Sequence, residues 1–168
     1  KEKYDELKKA SERRGGEVEF AFLLDALQDE RDQGITIDTT RIFFKTKLRK
    51  YVFIDAPGHK EFIRNMITGA SSADIAILIV DVHEGIKQQT KKHAYLLKLL
   101  GIEQIITLFN KMDKVNYSEE KYTQTKFDLN KYLAEIGIKC HSSIPISSKL
   151  GDNIVSLSKN MKWYSGPL

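Results

Sequence analysis

Apolar residues recur along this chain with two different periods, and each change of period marks an element. The first stretch, KEKYDELKKASERRGG, alternates charges at helical spacing and ends at Gly15-Gly16. In VEFAFLLDALQDERDQG, Phe20, Leu23, Leu24 and Leu27 stand at i, i+3, i+4 and i+7, which gives a helix one apolar face; Gly34 ends it. ITIDTTRIFFKTKL is β-branched and alternating, and RKYVFIDAP follows after a very short turn, so the pair predicts an antiparallel hairpin. ADIAILIVDV is nearly all apolar, as a strand covered on both faces must be. QQTKKHAYLLKLLG reads as a helix stopped by Gly101, and IEQIITLFNK as a second buried strand. YSEEKYTQTKFDLNKYLAEIG reads as a helix with Ser118 as N-cap, Glu119 and Glu120 in the first turn, and Gly137 at its end. Tyr122, Leu129, Leu133 and Ile136 form its inner face, and HSSIPIS is a third strand. The β-α-β-α-β order predicts an α/β fold, a mostly parallel sheet flanked by helices. Ligand sites in such sheets lie at the carboxyl ends of the strands.

Composition narrows the class only a little. At 168 residues the chain is long enough for one domain with a substantial core. A net charge of +4 is mildly basic, and the lysines are spread over several segments, which favours a solvated surface over a nucleic-acid stripe. The single cysteine, Cys140, has no internal disulfide partner and fits a reducing compartment. Its place in a strand predicts a buried, inert thiol. The charged amino terminus has no apolar core of a signal peptide, and the longest apolar run, IAILIV at 75–80, is too short to cross a bilayer. These features place the chain in the cytoplasm, without a membrane partner.

Three predicted strand ends carry the chemistry: Asp55, Asn110 to Asp113, and Ser147 to Lys149. A parallel sheet brings such ends to one edge. In NKMD, the Asp113 carboxylate can accept both N1–H and the 2-amine of a guanine. Adenine lacks that amine and presents an acceptor at N1. Hydrogen bonds to a charged group are worth about 1.5–3 kcal/mol each, so one carboxylate can choose the purine. The Lys111 stem can lie along the base, and Asn110 can tie the loop together. Asn-Lys-x-Asp also fits an ordinary polar loop; its place after a buried strand is what favours the base. In Ser147-Ser148-Lys149, backbone N–H groups can meet the guanine O6 while the Ser147 hydroxyl braces Asp113.

DAPGH supplies chemistry for the phosphate end. Asp55 can hold Mg²⁺ through its water shell. Gly58 lacks a Cβ, so its N–H can approach a γ-phosphate closely. His59 fits a group that orients an attacking water, or an ordinary histidine at a helix start. Thr36, in GITID, has a hydroxyl suited to Mg²⁺, though threonine in a strand is usually a strand former. His83, His93 and His141 form no pair with metal-ligand spacing. Trp163, in KNMKWYSGPL, reads as a packing anchor.

Taken together, ERDQGITID, DAPGHKEFIRNMITGAS, NKMD and PISSKLGDNI resemble a translation-factor-type GTPase over nearly the whole chain. Within that superfamily, FLLDALQDERDQGITIDTT and KNMKWYSGP are similar to the GTPase subunit of bacterial ATP sulfurylase, the large subunit of sulfate adenylyltransferase. That resemblance implies a P-loop GTPase-type domain with GTP and Mg²⁺ as its cofactors. It implies guanine contacts from Asn110, Lys111, Asp113 and Ser147, with Ser148 and Lys149 beside them. It implies Mg²⁺ and γ-phosphate sensing by Thr36, Asp55 and Gly58, and a catalytic role in water positioning for His59. The partner implied is a catalytic adenylyltransferase subunit that handles ATP and sulfate, with no nucleic acid involved. DAPGHKEFIRNM also resembles elongation and release factors, whose partners would be the ribosome and tRNA.

The sequence contains no Gly-Lys dipeptide, and so no Gly-x-x-x-x-Gly-Lys-[Ser/Thr] phosphate loop. Residues 1–168 are therefore expected to be part of a GTPase domain, without its first strand, its phosphate loop or the β-barrel domains that follow. The strand that the family places between those of Asp55 and Asp81 would be lacking, leaving two open edges. In isolation such a chain is expected to bind GTP very weakly.

Overall fold

The computed structural model describes residues 39–57 and 63–168. The chain divides into two units, residues 1–72 and 73–168. The helices expected before Gly34, and the segment carrying Thr36, lie outside the described residues.

In the first unit, β1 (Thr40–Lys45) and β2 (Lys50–Asp55) form the expected antiparallel hairpin, in register from Thr40 opposite Asp55 to Lys45 opposite Lys50. Its turn contains no glycine. The Thr46 hydroxyl instead accepts from the backbone N–H groups of Leu48 and Arg49, at 3.2 and 3.1 Å. Phe44 stacks on Tyr51 and Phe53 at 5.0 Å, the cross-strand ring contact that favours this register. A short helix, α1 (Ile63–Ala70), follows. The Thr39 hydroxyl donates to the Asn65 carbonyl at 2.9 Å, which joins the start of the hairpin to that helix.

The second unit runs β3 (Ala76–Asp81), α2 (Gln88–Leu99), β4 (Gln104–Asn110), a 3-10 turn (Met112–Val115), α3 (Glu119–Glu135) and β5 (Lys139–Pro145). Its three strands are parallel in the order β3-β4-β5, which confirms the rhythm read from the sequence. Gly101 and Gly137 stand at φ 76° and 72° just past α2 and α3, a left-handed conformation that glycine adopts without a Cβ clash. Ser118 caps α3, its hydroxyl accepting from the Lys121 N–H at 3.2 Å. Tyr122, Leu129 and Leu133 are buried as expected, Thr125 joins them, and Ile136 is half-buried. In the middle of β4, Thr107 is fully buried; its hydroxyl lies 2.9 Å from Ser143 Oγ and 3.2 Å from the Ser142 carbonyl, so the polar group is satisfied.

Two expectations need correction. β3 is buried on one face only: Leu78 and Val80 are buried, whereas Ile77 and Ile79 are 47% and 60% exposed. Successive side chains of β3 point to opposite faces of the sheet, and within the second unit the face carrying Leu78 and Val80 is packed whereas the face carrying Ile77 and Ile79 is not. Cys140 is half-buried in β5 rather than fully buried, because that strand is an edge of the sheet; its thiol donates to the Ser142 carbonyl at 3.1 Å. No helix among the described residues is long and apolar enough to cross a membrane.

Phe109 is wholly buried near the end of β4, edge-on to Tyr122 at 5.2 Å. Phe109→Ala is expected to destabilise the protein by about 3–5 kcal/mol, measured by urea unfolding, because it opens a cavity directly beneath the strand ends.

Candidate functional site

Parallel pairing of β4 with β5 sets the ends of these strands side by side, with Phe109 opposite Pro145. The ladder then continues past the strands. Ile146 N–H donates to the Phe109 carbonyl at 2.8 Å, and Met112 N–H donates to the Ile146 carbonyl at 3.1 Å. The two loops that follow, 110–113 and 147–149, are thereby held against each other.

Asn110 joins them directly. Its side-chain oxygen accepts from Lys111 N–H at 2.7 Å and from Ser148 N–H at 3.0 Å, while its amide donates to Ser148 Oγ at 2.9 Å. One side chain therefore satisfies backbone groups of both loops. Ser147 is fully buried, and its hydroxyl donates to Asp113 Oδ1 at 2.6 Å. A charge-assisted bond of this length fixes the carboxylate's rotation. Asp113 is half-buried, and among the described residues its other oxygen, Oδ2, receives no side-chain hydrogen bond. Lys149 is exposed in the turn that follows.

Lys111 adopts a left-handed backbone, φ 65°, and its ammonium pairs with Asp81 at 2.7 Å. Asp81 ends β3 opposite Asn110, so a third strand end contributes to this edge. Its other oxygen accepts from His83 and Glu84 N–H at 2.9 and 3.3 Å, closing the turn after β3. Burial alone would raise the Asp81 pKa; the Lys111 hydrogen bond and those from Glu84 and His83 outweigh it and hold the carboxyl below its ordinary value. The same hydrogen bond to Asp81 raises the Lys111 pKa.

The four non-glycine residues with positive φ among those described are Lys111, Asn116, Tyr117 and Asn153, all in the loops around this edge. Such conformations cost on the order of 1–3 kcal/mol each and persist where surrounding contacts over-determine them. Asn153 donates to the Pro145 carbonyl at 2.9 Å and accepts from Ser158 N–H at 2.7 Å. Trp163 is the packing anchor expected: its ring meets Tyr122 at 5.3 Å, and its N–H donates to the Tyr117 carbonyl at 3.1 Å.

Of the residues singled out from the sequence, the structure joins Asn110, Lys111, Asp113, Ser147 and Ser148 in one cluster. Asp55 ends β2 in the first unit, half-buried, with Pro57 buried after it. Thr36, Gly58 and His59 lie outside the described residues. Sequence reasoning passed over Asp81, although a polar residue closing an apolar strand is the same signal that marked Asp55.

Asp81 also yields a pH test. Its folded pKa is below the unfolded value of about 3.9, so its stabilisation is complete above that value and is lost as the pH falls through the folded pKa. Asp81→Asn keeps an acceptor for the turn and removes the charge. Because Lys111 is 46% exposed, the loss at pH 7 is expected to be about 1 kcal/mol or less. Thermal melts are expected to show the gap to wild type narrowing as the pH drops below about 4.

Residues 2–164 match the family model of the elongation factor Tu GTP binding domain. The chain is 48% identical over 166 residues to elongation factor 1-alpha of Methanocorpusculum labreanum, covering 97% of this chain and 39% of that protein. It is 46% identical over 152 residues to sulfate adenylyltransferase subunit 1 of Alteromonas mediterranea, covering 90% of this chain and 32% of that one. A crystal structure of a bacterial selenocysteine-specific elongation factor, EF-Sec, is similar with a TM-score of 0.70 at 33% identity, over 78% of this chain and 22% of that chain. The chain thus spans about two fifths or less of the length of these relatives. It belongs to the translation-factor GTPase superfamily, as a chain of the elongation factor Tu GTP-binding domain family.

Proposed function

We propose that the edge formed by β4 and β5 is the guanine site of this GTPase and that Asp113 selects the base. The observation that carries this reading is the half-buried Asp113 carboxylate, pinned through one oxygen by Ser147 at 2.6 Å. Held so, it can accept N1–H and the 2-amine of guanine together. Asn110 fixes both loops, Lys111 flanks the base with its stem, and Lys149 offers its backbone N–H toward O6, those of Ser147 and Ser148 being engaged by the Asp152 carbonyl and the Asn110 side chain.

The phosphate end is proposed on sequence grounds. Asp55 is a half-buried carboxylate at a strand end, the hard oxygen donor that Mg²⁺ takes through its water shell. Thr36 would add a hydroxyl to that ion, Gly58 an N–H toward the γ-phosphate, and His59 would orient the attacking water. Mg²⁺ would neutralise charge on the phosphates when bound.

For the whole protein we propose a regulatory GTPase subunit of sulfate adenylyltransferase, working with a catalytic subunit that takes ATP and sulfate. In this reading 1–168 forms part of a GTPase domain in a longer chain. Support comes from the similarity to sulfate adenylyltransferase subunit 1 and from the KNMKWYSGP segment, whose Trp163 packs on Tyr122. A second reading, a translation factor acting on the ribosome, is favoured by the similarity to elongation factor 1-alpha over 97% of the chain.

Asp113→Asn exchanges one acceptor for an amide donor. In the full-length protein it is expected to weaken GDP binding at least about tenfold and to gain binding of xanthosine diphosphate, whose C2 carries an oxygen instead of an amine. Calorimetry that shows unchanged GDP preference would overturn the guanine reading. GTP turnover by the full-length protein is expected to rise when the catalytic adenylyltransferase subunit and ATP are added. A rise with ribosomes instead would support the second reading.

A further inference from the structure

Asp113 is held by more than Ser147. Ser147 and Asp152 form a two-way backbone bridge, with Ser147 N–H donating to the Asp152 carbonyl at 3.2 Å and Asp152 N–H returning to the Ser147 carbonyl at 3.1 Å. Asp152 Oδ2 accepts the Tyr117 hydroxyl at 3.0 Å. Tyr117 N–H donates to the Met112 carbonyl at 2.8 Å, and Met112 is bonded to Asp113. These links close a ring: Asp113, Ser147, Asp152, Tyr117, Met112 and back to Asp113. Tyr117 takes a left-handed backbone, φ 56°, to reach its place in it, a conformation that an aromatic residue adopts only under constraint. Burial and the Asp152 carboxylate raise the phenol's pKa, which keeps it a donor.

The ring is itself strapped from outside. Asp152 Oδ1 accepts the Ser158 hydroxyl, and Asn160 lies 3.4 Å from the same oxygen. Trp163 N–H holds the Tyr117 carbonyl. Residues 152–163 thus grip both members that stand away from the base.

We propose that Tyr117 and Asp152 are positioning residues that set guanine specificity through Asp113 without touching the nucleotide. The proposal rests on the guanine reading given above. With the Tyr117–Asp152 bond in place, the two loops cannot separate, and the Asp113 carboxylate stays in the plane where it can meet both donors of the base. With the bond cut, the links left among the described residues between the 147–152 loop and the NKMD loop are the Ser147–Asp113 and Asn110 contacts and the Met112 ladder bond. Ser147 then shifts with its loop and carries the carboxylate bonded to it out of the plane of the base, at the expense of the bond to the 2-amine.

Inosine diphosphate isolates that bond, since it keeps N1–H and O6 and lacks the 2-amine. Every phosphate, Mg²⁺ and stacking contribution cancels in the ratio of GDP to IDP affinity. In the full-length protein, Tyr117→Phe is expected to lower that ratio about fivefold, with GDP affinity falling more than IDP affinity. A merely structural role would weaken both nucleotides in parallel and leave the ratio unchanged, and that result overturns the proposal. Should Tyr117→Phe fail to fold, Asp152→Ala, which removes the acceptor, carries the same test with the same expected direction. Asp113→Ala serves as the reference and is expected to bring the ratio close to one. If it leaves the ratio at the wild-type value, the guanine reading itself fails and the proposal with it. If it collapses the ratio while Tyr117→Phe and Asp152→Ala do not, the guanine reading stands and only the positioning role is lost.

Discussion

The hydrogen bond from the Ser147 hydroxyl to the Asp113 carboxylate is the constraint on which the rest of the candidate site depends. It spans 34 residues of sequence, and it exists because β4 and β5 are parallel neighbours whose ends are level. A buried hydroxyl donating to a half-buried carboxylate settles two matters at once. The hydroxyl is satisfied, and the carboxylate is left with one rotation. Asn110 repeats the device one step inward, its amide serving both loops. Left-handed backbone at Lys111, Tyr117 and Asn153 is the cost of turning these loops so tightly, and the bonds around them offset it.

The core and the edge are mechanically one object. Phe109 is buried between the sheet and α3, Tyr122 lies edge-on to it, and Trp163 packs on Tyr122. Two residues past Phe109, the chain enters the left-handed turn at Lys111 that delivers Asp113. A rigid core directly under a polar edge is what lets a few side chains hold a geometry that water would otherwise compete for. Asp81 extends the same logic to β3, tying its end to Lys111.

Much of this was legible in the sequence. The all-apolar strands, the Ser118 cap and the glycine stops at 101 and 137 follow from local chemistry, and local chemistry is what periodicity reports. The Asn-Lys-x-Asp loop and the serine after the last strand could be paired because parallel strands of similar length end together. Partnerships that depend on the detailed path of a loop were not legible. Nothing local to Tyr117 announces a hydroxyl bond to Asp152, which lies 35 residues on. Asp81 was visible as a strand end, but its bond to Lys111 depends on a left-handed turn that lysine does not advertise. The exposed isoleucines of β3 show a different limit: an apolar run reports a strand's capacity for burial, and what packs over each face decides which side obtains it. Thr36, Gly58 and His59, proposed for the phosphate end, rest on the sequence and lie outside the described residues; of that proposed group the structure describes Asp55.

The most direct measurement is a crystal structure of the full-length protein with GDP bound. The central claim predicts the guanine N1 and 2-amine both within hydrogen-bond distance of the Asp113 carboxylate, with the Ser147 hydroxyl still on the other side of it. A base seated elsewhere, or one whose Watson–Crick edge faces groups other than Asp113, would contradict it.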